Sequence, residues 1–116
     1  MEKVFITGCG IISGLGNGVE RNIQQLKNGK SGIGKAQNFA SKYTDQLPFS
    51  EVKMSTLNLL DLTETPKNTG ITRTTLLAYV AFQNAINQAN LSNQELSSLS
   101  TGIISSTTIG GMCHID

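Results

Sequence analysis

The stretch Val4–Gly16, VFITGCGIISGLG, decides how the rest of the chain is read. Its first four residues, Val4-Phe5-Ile6-Thr7, are β-branched or aromatic without polar alternation, the pattern of a strand covered on both faces. Gly8, Gly10, Gly14 and Gly16 follow, interleaved with Ile11, Ile12 and Leu15. A residue without a Cβ tolerates close backbone approach, so the chain is expected to turn here or to pass very near something. A dinucleotide fingerprint starting at Gly8 would need glycine at position 13, where Ser13 stands, and an acid at a strand end about 20 residues on. The region NGKSGIGKA offers neither acid nor strand, which argues against nucleotide binding.

Moving outward, Asn17 with Glu20 three residues later has the spacing of a capping box, and Val19, Ile23 and Leu26 form one narrow apolar stripe. Gly29 is placed to end that helix as its C′ residue. Gly29-Lys30-Ser31 imitates the end of a phosphate-binding loop, but Gln24 stands where its first glycine belongs, and the tripeptide closes a helix instead of opening one. From Lys35 to about Gly70 periodicity is weak and turn formers are frequent, with one or two helical turns expected in Met54–Leu62 that serve either core packing or docking. Ile71–Leu91 is the strongest helix, capped by Thr72. Its block from Leu76 to Phe82 is apolar around most of its girth, more than the rest of the chain can easily bury. Ser92 with Glu95 caps a short turn over Asn93–Leu99, and Thr101–Thr108 (TGIISSTT) reads as a second buried strand. Strand, crossover helices and strand together predict an α/β fold with a parallel sheet.

Composition narrows the function classes. The 116 residues are 38% hydrophobic and 15% charged with a net charge of +1, which gives no electrostatic case for nucleic acid. No apolar run reaches the roughly 20 residues of a membrane span, and Glu2-Lys3 leads straight into a strand instead of a signal sequence, so a cytoplasmic location is expected. Cys9 and Cys113 make neither a disulfide framework nor a metal-ligand spacing, and Cys9 is expected to be a small apolar filler between two glycines. His114, the only histidine, adjoins Cys113. Neighbours on an extended chain face opposite ways, which disfavours a Cys-His dyad, and a metal would lack further ligands.

The opening resembles that of the β-ketoacyl synthases, condensing enzymes of the thiolase-like fold. Thr7, Gly8, Gly10, Ser13 and Gly16 match their T-G-x-G-x-x-S-x-x-G, and Leu26, Gly29, Ser31, Gly32 and Ile33 match L-x-x-G-x-S-G-I. Ala89-Asn90-Leu91 stands where the family's buried Ala-rich helix ends in A-x-L. The resemblance implies a partial thiolase-like fold, parallel or mixed strands packed on buried helices, with residues 1–116 forming an N-terminal segment of a longer domain. It implies decarboxylative Claisen condensation of acyl and malonyl thioesters on acyl carrier protein, in fatty-acid or polyketide synthesis, with no cofactor. The family's nucleophilic cysteine and two histidines match no position here, so no catalytic residue is assigned and the segment alone is expected to be inactive.

Ile109, before Gly110-Gly111, matches the bulky residue that walls the acyl pocket, with an ordinary buried isoleucine as the alternative. Lys67 and Arg73 fall in the region that helps dock carrier protein, or are solvated surface charges. A homodimer, or a heterodimer of synthase and chain-length factor, is the implied assembly. Two rivals stand beside this reading: a non-catalytic chain-length-factor-like subunit, and a free-standing small α/β binding module.

Overall fold

The structure, a computed structural model, describes residues 3–38, 40–67, 70–108 and 110. Along the chain run β1 (Ile12–Ser13), β2 (Gly16–Asn17), α1 (Val19–Lys27), β3 (Ile33–Gly34), β4 (Phe49–Ser50), α2 (Thr56–Leu62), α3 (Arg73–Ala89) and α4 (Asn93–Leu96). The strands form two antiparallel pairs, Ile12 opposite Asn17 and Ile33 opposite Ser50. The fold is thus helices with small antiparallel pairs, and no parallel ladder occurs among the described residues.

The helix boundaries follow local chemistry. Thr72 caps α3 by accepting from Thr75 N–H, Ser55 caps α2 through Asn58 N–H, and Ser92 with Glu95 forms a complete capping box on α4. α1 ends as expected: Gly29 at φ 62° lets Lys30 N–H reach Gln25 O at 2.9 Å and its own N–H reach Leu26 O at 3.0 Å, closing the last turn. Its start corrects the sequence reading. Gly18, at φ 88°, precedes the first turn and no side chain caps it. Asn17 lies in β2 instead, its Oδ1 accepting from Asn84 Nδ2 at 2.7 Å.

The core lies where α2 crosses α3. Leu59, Leu60, Leu76 and Val80 are buried there, with Ile12, Met54 and Leu77 packed against them. The apolar residues of Met54–Leu62 therefore serve core packing, with Leu57 and Leu62 left exposed.

Both predicted strands are corrected. Val4–Thr7 and Thr101–Thr108 carry no strand, and their side chains stand in solvent: Val4 is 94% exposed and Ile104 fully so. A strand is held by a neighbouring strand, and no ladder partner for either segment lies among the described residues. The α1 stripe fares alike, since Ile23 and Leu26 are exposed and the helix's one buried residue is Asn22. In total 9393 Å² is accessible, against about 6,100 Å² for a self-contained folded chain of this mass. The radius of gyration is 16.5 Å, against about 13 Å for a compact domain of this length.

Candidate functional site

The glycines of the opening stretch face a helix. A Cβ on Gly10 would lie 1.7 Å from the Ala81 carbonyl oxygen, and one on Gly8 2.3 Å from that of Ala85 and 2.9 Å from the Ala89 side chain. Two residues of extended chain advance about 6.6 Å. Four residues of helix rise about 6 Å. Gly8 and Gly10 thus step along the Ala81, Ala85, Ala89 row of α3 in opposite direction to the helix, backbone against backbone. Gln88 fixes the register by accepting Cys9 N–H on Oε1 at 2.5 Å. The Cys9 side chain is exposed, so its expected role as buried filler does not hold.

The β1–β2 turn is locked from inside by Asn22. Its Nδ2 donates to Gly16 O at 3.0 Å and Gly18 O at 2.8 Å, and Ser13 Oγ donates to its Oδ1 at 2.5 Å. Ser13, which breaks the nucleotide fingerprint, is therefore a working part of the turn. Its Oγ also accepts Leu15 N–H at 3.1 Å. Gly14 meets the base of the β3–β4 pair, where an added Cβ would fall 2.5 Å from Ser50 Oγ.

Two of the clefts among the described residues flank this assembly. One, of about 500 Å³, is lined by the β1–β2 turn, Arg21, Val52–Met54 and Asn58. The other, of about 320 Å³, is mostly apolar and lies between Thr7–Gly8, the Phe82–Ala89 face of α3 and Thr101–Ile103. The two segments expected to be strands thus border one apolar slot on the same side of α3.

Arg73 and Lys67 differ in their surroundings. Arg73 is half-buried, and its Nη2 donates to Val52 O and Met54 O, each at 2.8 Å, while Nη1 reaches Thr56 Oγ1 at 3.3 Å. Lys67 is exposed and lies 4.0 Å from Asp61 Oδ1. Ile109, Cys113 and His114 lie outside the described residues. Among the described residues no group of three His, Cys, Asp or Glu side chains could hold a metal, and no helix is long and apolar enough to cross a membrane.

Two carboxylates are tuned. For Glu51, burial pushes the pKa up, but N–H donors from Asn38 and Gln37 and the Lys53 ammonium outweigh it and hold the group below its usual range. Glu95 is lowered by the Ser92 hydroxyl and N–H.

The sequence pattern of the β-ketoacyl synthase N-terminal domain matches residues 1–115. The chain belongs to the β-ketoacyl synthase family. A Schizosaccharomyces pombe protein named as a mitochondrial 3-oxoacyl-[acyl-carrier-protein] synthase is 33% identical over 97% of this chain and 28% of its own length. A second relative, 3-oxoacyl-[acyl-carrier-protein] synthase 2 of Synechocystis, is 32% identical over 96% of this chain and 26% of its own. The chain therefore spans just over a quarter of the length of the curated relatives it matches. No solved structure matches it significantly.

Asn22, Glu51 and Gln88 were missed from sequence. One signal was present: glycines two apart facing alanines four apart have matched spacings in an extended chain and a helix. Asn22 gave none, being a polar residue off the apolar stripe and indistinguishable from a solvated one.

Proposed function

We propose that this chain is an N-terminal portion of a 3-oxoacyl-[acyl-carrier-protein] synthase, which performs decarboxylative Claisen condensation of acyl and malonyl thioesters in fatty-acid synthesis. The observation that carries the proposal is the family match across residues 1–115, supported by relatives of that name. Val4–Thr7 and Thr101–Thr108 become neighbouring strands of a parallel or mixed thiolase-like sheet, their exposed residues covered by further elements of the whole protein. That Val4, Phe5 and Ile6 are all exposed, although successive residues of a strand face opposite ways, supports a sheet that needs cover on both faces.

Condensation needs a thiolate of lowered pKa and backbone donors for the oxyanion. Among the described residues the one cysteine is the exposed Cys9. The described residues supply scaffold and walls, and the segment alone is inactive. Ile109 walls the acyl pocket, and Lys67 and Arg73 lie toward acyl carrier protein. Lys67, exposed and only loosely paired with Asp61, is the freer of the two cations to meet an acidic partner. The whole protein works as a dimer in the cytoplasm.

The test is condensation by the whole protein of acyl- and malonyl-carrier-protein thioesters, read as 3-oxoacyl product. Ile109→Ala should shift the products toward longer chains and Ile109→Phe toward shorter ones. Decarboxylation without condensation would overturn the synthase reading, and an unchanged product distribution would overturn the role of Ile109.

A further inference from the structure

The segment between β3 and β4, residues 35–48, is held at its base by only a two-residue ladder, too little to fix a long loop. The residues just after β4 supply what the ladder lacks. Glu51 Oε1 accepts Gln37 N–H, and Oε2 accepts Asn38 N–H at 3.1 Å. Asn38 Nδ2 in turn donates to Val52 O at 3.2 Å, and Lys53 Nζ donates to Lys35 O at 2.9 Å. Arg73, from the first turn of α3, closes the set on Val52 O and Met54 O. Consecutive residues 51–54 thus each grip the loop, α3 or both. Glu51 is the hub, its side chain only 11% exposed.

We propose that Glu51 is a carboxylate latch that fastens the 35–48 loop to its own base and thereby sets the wall of the 500 Å³ cleft beside the β1–β2 turn. The base presses directly on that turn, since a Cβ on Gly14 would meet Gly32 O at 3.0 Å and Glu51 O at 3.3 Å. Releasing the carboxylate frees Gln37 and Asn38 from residues 51–52 and loosens Val52 and Lys53, which line the cleft.

The charged groups around Glu51 are few. Lys53 Nζ lies 3.7 Å from Oε1. Lys35 and Asp45 pair at 3.8 Å on the exposed loop, Arg73 is spent on carbonyls, and Arg21 lines the cleft. Protonation removes the charge that the two N–H donors and Lys53 favour. With the folded pKa held below the ordinary carboxylate value, the latch is fully set above that value and is lost as pH falls through the lowered one.

The experiment is amide hydrogen exchange of the full chain, with trypsin cleavage after Lys42 as a second reading of the loop. Glu51→Gln should speed exchange at Gln37 and Asn38 on the order of tenfold, by loss of a charge-assisted acceptor. It should also expose the bond after Lys42, while protection of Leu76 and Val80 in α3 is kept. Unchanged exchange at Gln37 and Asn38 would overturn the latch. If the variant loses α3 protection as well, the native chain decides. Its protection factors at Gln37 and Asn38 must fall with pH before those of α3, and a simultaneous loss refutes a local latch.

Discussion

Gly10→Ala is the sharpest probe of how the glycine stretch is seated. Its new methyl would lie 1.7 Å from the Ala81 carbonyl oxygen and 2.8 Å from Ala85 N, where ordinary contact needs about 3.5 Å. The obstacle is backbone, so no rotamer change relieves it and the segment must lift from α3 by nearly 2 Å. Overpacking of this kind costs about 1–3 kcal/mol. Lifting also breaks the bond from Cys9 N–H to Gln88 Oε1, now 2.5 Å, for about 1 kcal/mol more. We expect a loss of about 3 kcal/mol, read as a lower urea midpoint at unchanged slope, or a fall in Tm of roughly 12 °C. Two controls fix the cause. Gly102→Ala, with nothing within 4 Å of its Cβ, should be neutral. Gly10→Ala in an Ala81→Gly background should be no better, because the clash is with a carbonyl and not with a side chain. A Gly10→Ala protein within about 0.5 kcal/mol of native, or one rescued by Ala81→Gly, would refute the backbone-on-backbone seating.

Three further outcomes follow from the same geometry. Asn22→Ala leaves the Gly16 and Gly18 carbonyls without their donor and should cost about 2–4 kcal/mol in a denaturant titration; Asn22→Asp should cost more, since a carboxylate then faces two carbonyls, and should recover partly on acidification. Arg73→Lys should destabilise by roughly 1–3 kcal/mol because an ammonium cannot reproduce the fork onto Val52 O and Met54 O; a KM effect toward carrier protein with native stability would instead assign Arg73 to docking. The α4 cap should weaken in acid, since Glu95 is held low by Ser92: its contribution is present above the ordinary carboxylate pKa and lost as pH falls through the lowered value, which exchange at Glu95 N–H will follow in the native chain but not in Glu95→Gln.

What could be read from sequence was governed by the range of the interactions involved. The caps at Thr72 and Ser92 and the Gly29 stop are settled within four residues, and they came out as expected. The Asn17 cap failed because a longer-range competitor won: Asn84, sixty-seven positions away, takes its side-chain oxygen. Val4–Thr7 and Thr101–Thr108 were misplaced for a related reason. Their composition reports a preference for a half-buried pleated surface, whereas forming a strand requires a neighbour, and propensity carries no information about whether one is present. Within the site, the close approach signalled by Gly8 and Gly10 was legible, but not that α3 makes it. The hydrogen bonds of Asn22 and Glu51 left no trace in any periodicity.

The exposed residues also bear on where this chain's stability must come from. Val4, Phe5, Ile6, Ile103 and Ile104 are each at least 74% exposed, and Ile103 borders the slot beside α3. Fully burying a side chain of this kind contributes about 1.5–3 kcal/mol. Five of them amount to about 7–15 kcal/mol, as large as the entire stability of an ordinary domain. A core of four buried apolar residues between α2 and α3 cannot substitute for that sum. The two segments therefore leave more apolar surface in solvent than the α2–α3 core takes out of it.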